Sequence, residues 1–179
     1  MHGMTLAALL NEDNPELAIN RPDEETVEFW NKLKNLGIAG PKISPSDLVF
    51  IGLRDFEPQE DAIIKRNKIR VFSVTEIRKK AVERVAIDSL NYLDQCDLIY
   101  VSFDVDSMDS NISKGTGTPA PNGITEKEAG NLIYYLLRSR KICCLEMVEI
   151  NPTLDRENLM AENAFEILLK ASNQITNVF

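Results

Sequence analysis

The chain has a single histidine, His2, among 179 residues. That scarcity excludes more chemistry than any other feature, because a Ser-His-Asp system or a histidine-rich metal site would have to use a residue two places from Met1. Cysteine is nearly as scarce. Cys96, Cys143 and Cys144 make an odd set with an adjacent pair inside an apolar run, which is no disulfide framework. Adjacency is also poor spacing for a zinc site, so the three read as reduced, mostly buried thiols. No apolar run approaches the roughly 18 to 20 residues of a membrane helix. The first residues, Met1 to Pro15, lack the basic start and long apolar stretch of a secretory leader. These absences predict a cytoplasmic protein without a membrane partner. Basic residues are the minority, 20 Lys+Arg against 28 Asp+Glu for a net charge of −8. That balance argues against nucleic acid, which needs a clustered basic surface. There is no internal repeat and no low-complexity stretch.

What is present is globular: 44% hydrophobic and 27% charged residues, at a length that suits one domain. Helical patterns alternate with short apolar runs. A first helix is predicted over Gly3–Leu10, and a second from an Asp23 cap to Leu36, with Val27, Trp30, Leu33 and Leu36 at helical spacing and Gly37 closing it. Strands follow at 47–53, 69–72, 98–104 and 142–149. The intervening helices are predicted at 58–67, 75–93 and 125–138, with a last one at 157–174. Phe29, Trp30, Tyr134 and Tyr135 read as packing residues, and Arg78-Lys-Lys80 as a solvated helix face. The strand–helix rhythm predicts an α/β fold with a parallel sheet whose strands are covered on both faces. Ligands of such sheets bind beyond the carboxyl ends of the strands.

Those ends are acidic. The third strand runs into Asp104-Val-Asp106 and then Asp109, the fourth into Glu149-Ile-Asn-Pro152, the first into Arg54-Asp55-Phe56-Glu57. On a continued strand Asp104 and Asp106 would face the same way, about 6.6 Å apart. Two such charges after a buried run are costly unless a cation lies between them. A divalent ion with hard oxygen ligands, Mg, Ca or Mn, is one reading, and a solvated acidic strand end is the other. The segment from Asp106 to Thr125 is far longer than the usual connector of about 2 to 6 residues. Its glycines, Gly115, Gly117 and Gly123, and its prolines, Pro119 and Pro121, suggest a site loop. It lacks the order of a phosphate loop.

Taken together, Ser102-Phe-Asp-Val-Asp-Ser-Met-Asp109, Gly115-Thr-Gly-Thr-Pro119, Gly123-Ile-Thr125 and Met147-Val-Glu-Ile-Asn-Pro152 resemble the C-terminal signature of the ureohydrolases, the family of arginase, agmatinase and formimidoylglutamase. The departures are Ile124 for Leu and Ile150 for Val. Ile51-Gly-Leu-Arg-Asp55 resembles arginase's own GLRD segment, and His2-Gly-Met the family's His-Gly segment. The resemblance implies a three-layer parallel sheet flanked by helices, truncated at the N-terminus. Residues 1–179 would be the C-terminal part of one such domain. It implies manganese-dependent hydrolysis of the arginine guanidinium to urea and ornithine by a metal-bridging hydroxide at a binuclear Mn²⁺ site. Asp104 and Asp106 would be metal ligands and His2 the proton shuttle. Glu149 would pair with the substrate guanidinium, and Thr118 would contact substrate. Glu57 falls where arginases carry an aspartate near the substrate α-amino group, though it also reads as a first-turn helix carboxylate. A homo-oligomer, trimeric or hexameric, is implied by the same resemblance.

Two motifs of the family are missing from this chain: Gly-Gly-Asp-His and Asp-Ala-His-x-Asp, which supply the remaining ligands. The expectation is therefore that these 179 residues by themselves are inactive. The alternatives are agmatinase or formimidoylglutamase activity, or a non-catalytic, degenerate homologue.

Overall fold

A computed structural model describes residues 4–14, 17–112 and 114–178. The chain divides into two compact units, Met1–Phe50 with Asp55–Arg70, and Ile51–Arg54 with Val71–Phe179.

In the first unit, α1 (Thr5–Leu10) packs on α2 (Glu24–Lys34), and α3 (Pro58–Arg66) follows. Asp23 caps α2 by accepting the Thr26 N–H at 2.8 Å. Gly37 does not close it. The helix ends at Lys34, with Asn35 as its cap, and Gly37 takes φ 77 two residues further on. The expected apolar stripe is also not buried: Val27, Leu33 and Leu36 are exposed, and so is Phe29, which is therefore no packing residue. The unit is tied instead through Asp13, which accepts from Trp30 Nε1 and from the buried Lys34 Nζ, each at 2.6 Å. Strands β1 (Val49–Ile51) and β2 (Arg70–Phe72), whose last residues are counted with the second unit, pair as a two-stranded sheet.

The second unit carries α4 (Val74–Lys80), α5 (Val82–Tyr92), β3 (Ile99–Asp104), α6 (Glu126–Leu136), β4 (Ile142–Val148) and α7 (Leu159–Val178). The single helix predicted over 75–93 is two. Ser73, not Thr75, caps the first by accepting the Glu76 N–H at 3.2 Å, and Ala81 breaks the pair with φ 69, ψ 150. Lys80, just before the break, reaches Glu76 at 3.1 Å and Asp88 at 3.0 Å. Ala81 thus sits where essentially only glycine is at ease, at a cost of roughly 1–3 kcal/mol. Ala81→Gly is expected to raise stability by about 1 kcal/mol, since the relieved strain exceeds the roughly 0.4–1 kcal/mol of added chain entropy. Urea denaturation checks this, and a lowered midpoint would refute the strain.

Thr125 starts α6 with both halves of the predicted capping box in place. That helix packs between α5 and α7, and the core includes Val85, Ala86, Ala129, Ile133, Met160, Ile167 and Ala171. β3 and β4 are parallel, in register from Tyr100 opposite Cys144 to Asp104 opposite Val148, and α6 lies on the crossover between them. Among the described residues the strands form two separate pairs, β1–β2 and β3–β4, and not the one four-stranded sheet expected.

The expectation of strands buried on both faces also fails. One face of β3–β4 carries Tyr100, Ser102 and Cys144 in the open, with Tyr100 56% exposed. Cys143 is exposed too, and Cys96 is half-buried, so the thiols are not mostly buried. Apolar β-branched composition signals a strand, but it does not say how many faces other elements cover. On the open face Glu146 accepts from Ser102 Oγ at 2.7 Å and from the Tyr100 hydroxyl, and these hydrogen bonds hold its carboxyl low. The Glu146 bond, with burial and the carboxylate charge adding to it, pushes the Tyr100 phenol up to about 12. A folded value above the ordinary 10 means the contact stabilises fully below pH ~10 and is lost as pH rises from there through 12. Phenolate absorbance should show one late-titrating tyrosine, returning to about 10 in Glu146→Gln. An unchanged late titration in that variant would rule the contact out.

Candidate functional site

The site builds up from the carboxyl ends of β3 and β4. The expected strand-like pairing of Asp104 and Asp106 does not occur. The strand stops at Asp104, and Val105–Ser107 is a turn of 3₁₀ helix. The Asp104 side chain itself caps that turn, accepting the Asp106 N–H at 2.8 Å. This is the local competition with extended structure that aspartate offers. The turn aims Asp106 into the long loop that follows.

Both Asp106 carboxylate oxygens meet threonine hydroxyls from that loop. Thr118 Oγ1 donates to Oδ2 at 2.5 Å, and Thr116 Oγ1 donates to Oδ1. Thr116 is buried; it was not among the residues expected from the sequence. Its signal was there in the i, i+2 spacing with Thr118 across Gly117, which on extended chain puts both hydroxyls on one side.

Glu149 follows β4 directly, with φ 68, a conformation costing a side-chain-bearing residue about 1–2 kcal/mol. It brings its carboxylate to the same loop: a Cβ on Gly117 would lie 3.9 Å from Oε2. Asp106, Thr118 and Glu149 therefore share one loop end, and Asp104 stands at its base. Asn151 donates from its N–H to the Gly115 carbonyl at 2.8 Å. Asp155, further along, caps α7 through the N–H groups of Met160 and Ala161 at 3.0 and 2.9 Å.

The loop is zipped at its base. Asp109 N–H donates to Ile124 O at 2.9 Å, Ser110 N–H to Ala120 O at 3.1 Å, and Ile124 N–H to Ser107 O at 3.0 Å. Asp109 accepts from the N–H groups of Asn111 and Gly123 at 2.8 and 3.1 Å; the Asn111 bond leads in holding its carboxyl low. The Arg54 guanidinium reaches the carbonyls of Asp106 (2.7 Å), Ser107 (3.3 Å), Met108 (3.0 Å), Ala120 (2.7 Å) and Pro121 (2.9 Å).

Glu57 is exposed and caps α3 within its own unit, its N–H donating to Glu60 at 2.7 Å in a reciprocal box. It precedes the first turn and is not in it. His2 lies outside the described residues.

The donor set suits a hard divalent ion in kind, since Asp104 and Asp106 offer carboxylate oxygens. It does not suit one in number. Among the described residues no three His, Cys, Asp or Glu come together as metal ligands, so the two aspartates make at most part of a metal site. No helix among the described residues is long and apolar enough to cross a membrane.

The strand ends, the threonine-bearing loop and Glu149 are the segments whose sequence resembles the ureohydrolase signature. Residues 1–172 match the Arginase family, and the chain belongs to it. It is 32% identical over 168 residues to the arginase of Bacillus subtilis, covering 94% of this chain and 51% of that protein. It is 36% identical over 158 residues to arginase-1 of Bos taurus, covering 87% of this chain and 45% of that one. The crystal structure of Helicobacter pylori arginase superposes with a TM-score of 0.86 at 32% identity, over 98% of this chain and 57% of that structure. The α/β fold is thus arginase-like, and the chain spans about half the length of the curated relatives it matches.

Proposed function

We propose that this chain is the C-terminal part of a manganese-dependent hydrolase that cleaves the guanidinium group of arginine to urea and ornithine. The observation that carries the reading is the meeting of Asp106, Thr118 and Glu149 at one loop end. The Glu149 carboxylate is the planar partner that a guanidinium pairs with through two N–H bonds. Its Oε2 lies against Gly117, and the next residue, Thr118, has its hydroxyl already oriented by Asp106. Asp104 and Asp106 would contribute hard oxygen ligands, and manganese, when bound, supplies Lewis-acid activation of water. His2 would carry protons between the site and solvent through its imidazole, whose ordinary pKa near 6.5 suits that work. Glu57 would have to leave its cap on α3 to meet the substrate α-amino group. Agmatine or a formimino substrate is the alternative within the family.

The second reading, a non-catalytic homologue, is favoured by one observation: the absence of a three-ligand cluster among the described residues. One experiment separates the two. The codons upstream of Met1 are read for Gly-Gly-Asp-His and Asp-Ala-His-x-Asp, and the complete frame is expressed and assayed for urea from arginine with Mn²⁺, beside the 179-residue chain. The complete frame is expected to turn over and the 179-residue chain is not. Enzyme-like turnover by the 179-residue chain would refute its incompleteness. A complete frame without those motifs and without turnover would establish the non-catalytic reading, and turnover of agmatine but not arginine would move the substrate.

A further inference from the structure

We propose that Arg54 is the positioning residue of the Asp106 site, because its guanidinium fastens the two legs of loop 107–124 together and so holds Thr116 and Thr118 against the carboxylate. The loop geometry stands on its own observations; the purpose of holding Asp106 rests on the hydrolase reading.

A loop of this length loses entropy when its ends are brought together, and its half-buried carbonyls need donors. The backbone ladder at the base supplies three N–H donors, from Asp109, Ser110 and Ile124. Arg54 supplies the rest of the closure. Three of its acceptors, Asp106, Ser107 and Met108, lie on the outgoing leg, and two, Ala120 and Pro121, on the returning leg. Its Nη2 alone touches both legs, at 2.7 Å to Asp106 O and 2.7 Å to Ala120 O. Ser107 O and Ala120 O already accept backbone N–H groups, so the guanidinium uses their second lone pairs. Only arginine presents five N–H donors in a rigid planar fork; lysine offers three at a point.

Placement of Arg54 depends on Gly52. With φ 80, the glycine turns the chain after β1 and lies against the loop base, where its Cβ would stand 3.9 Å from Ser107 Cβ. Arg54 then holds the main chain of Asp106 while the two threonines hold its side chain. One residue is thereby fixed at both ends by groups more than fifty positions and about ten positions away in sequence.

The loop carries its own reporter, the exposed Lys114. Trypsin cleavage after Lys114 is compared with cleavage after Lys170 on α7 in wild type, Arg54→Ala and Arg54→Lys, since slow proteolysis reads the population of the open form. Arg54→Ala is expected to be cut at Lys114 at least about tenfold faster with Lys170 unchanged. Arg54→Lys should fold and remain closer to Arg54→Ala than to wild type. Millimolar ethylguanidinium should slow the cleavage of Arg54→Ala and leave wild type alone. Amide exchange over 115–118 should follow the same order. Wild-type cleavage of Arg54→Ala at Lys114, or full protection by lysine, would overturn the clamp. If Arg54→Ala opens at Lys170 as well, failure of ethylguanidinium to restore it would do the same. In the complete protein, Arg54→Ala is expected to weaken Mn²⁺ binding by roughly 10–100-fold, as loss of a supporting partner does. Equal manganese affinity with and without Arg54 would overturn the positioning role. A complete protein that holds no manganese would instead count against the hydrolase reading and leave the loop results standing.

Discussion

Gly123→Ala is expected to destabilise the chain by about 3 kcal/mol or more, at the upper end of what overpacking costs. For a chain of this size that is a fall in melting temperature of roughly 6–12 °C. The reason is a backbone contact that cannot yield cheaply. A Cβ at this position would stand 2.4 Å from the Met108 carbonyl carbon and 2.5 Å from the Asp109 nitrogen. The legs of the loop cross here at main-chain distance, bridged between Met108 and Ile124. Moving them apart to admit a methyl group would break the Asp109–Ile124 and Ile124–Ser107 hydrogen bonds and disturb the Arg54 contacts at the same time. Gly115→Ala makes a milder comparison. Its Cβ would meet the Asp155 side chain at 2.6 to 2.7 Å, which can rotate away at the expense of its cap on α7. Calorimetry on the two variants checks the order, and a Gly123→Ala protein as stable as wild type would refute the close crossing.

Under the proposed function, Asp106→Ala should abolish hydrolysis in the complete protein, a loss exceeding the roughly 10–100-fold that a supporting group costs. Alanine removes one of the two proposed carboxylate ligands. It also leaves the hydroxyls of Thr116 and Thr118 without the acceptor they both address. Thr116 is buried, so its lost bond has little water to replace it, and stability should fall by about 1–3 kcal/mol as well. Asp106→Asn separates the two effects. The amide keeps the shape and one acceptor oxygen, so it should recover most of the stability and little of the activity. Urea formation and thermal unfolding measured on both variants decide this. Activity retained in Asp106→Asn would remove the residue from the proposed metal ligands.

Much of the candidate site was legible in the sequence because its parts are short, local patterns. The acidic strand ends, the overlong loop after Asp106, the Thr125 capping box and the Asp23 cap each depend on residues within a few positions of one another. Local spacing misled where a turn or a neighbour intervened. Asp104 and Asp106 keep strand spacing in the sequence, but the Asp104 side chain captures the Asp106 N–H and ends the strand. The helix pattern from Thr75 to Leu93 is continuous in apolar spacing, yet Ala81 breaks it. Burial misled as well: Tyr100, Cys143, Cys144, Phe29 and Leu36 are apolar or aromatic in runs that read as core, and they lie open.

By itself, then, the sequence determined the chemistry on offer: carboxylates, threonine hydroxyls and one imidazole. It also determined the family, through motifs in fixed order. The tertiary structure alone decided that Asp106 is held by two threonines, that Glu149 meets the same loop, and that Arg54 spans both legs of it. The physical reason is range. Periodicity and capping act over three or four residues, whereas the Arg54 contacts join positions 52 to 67 apart, and only the folded chain makes them neighbours.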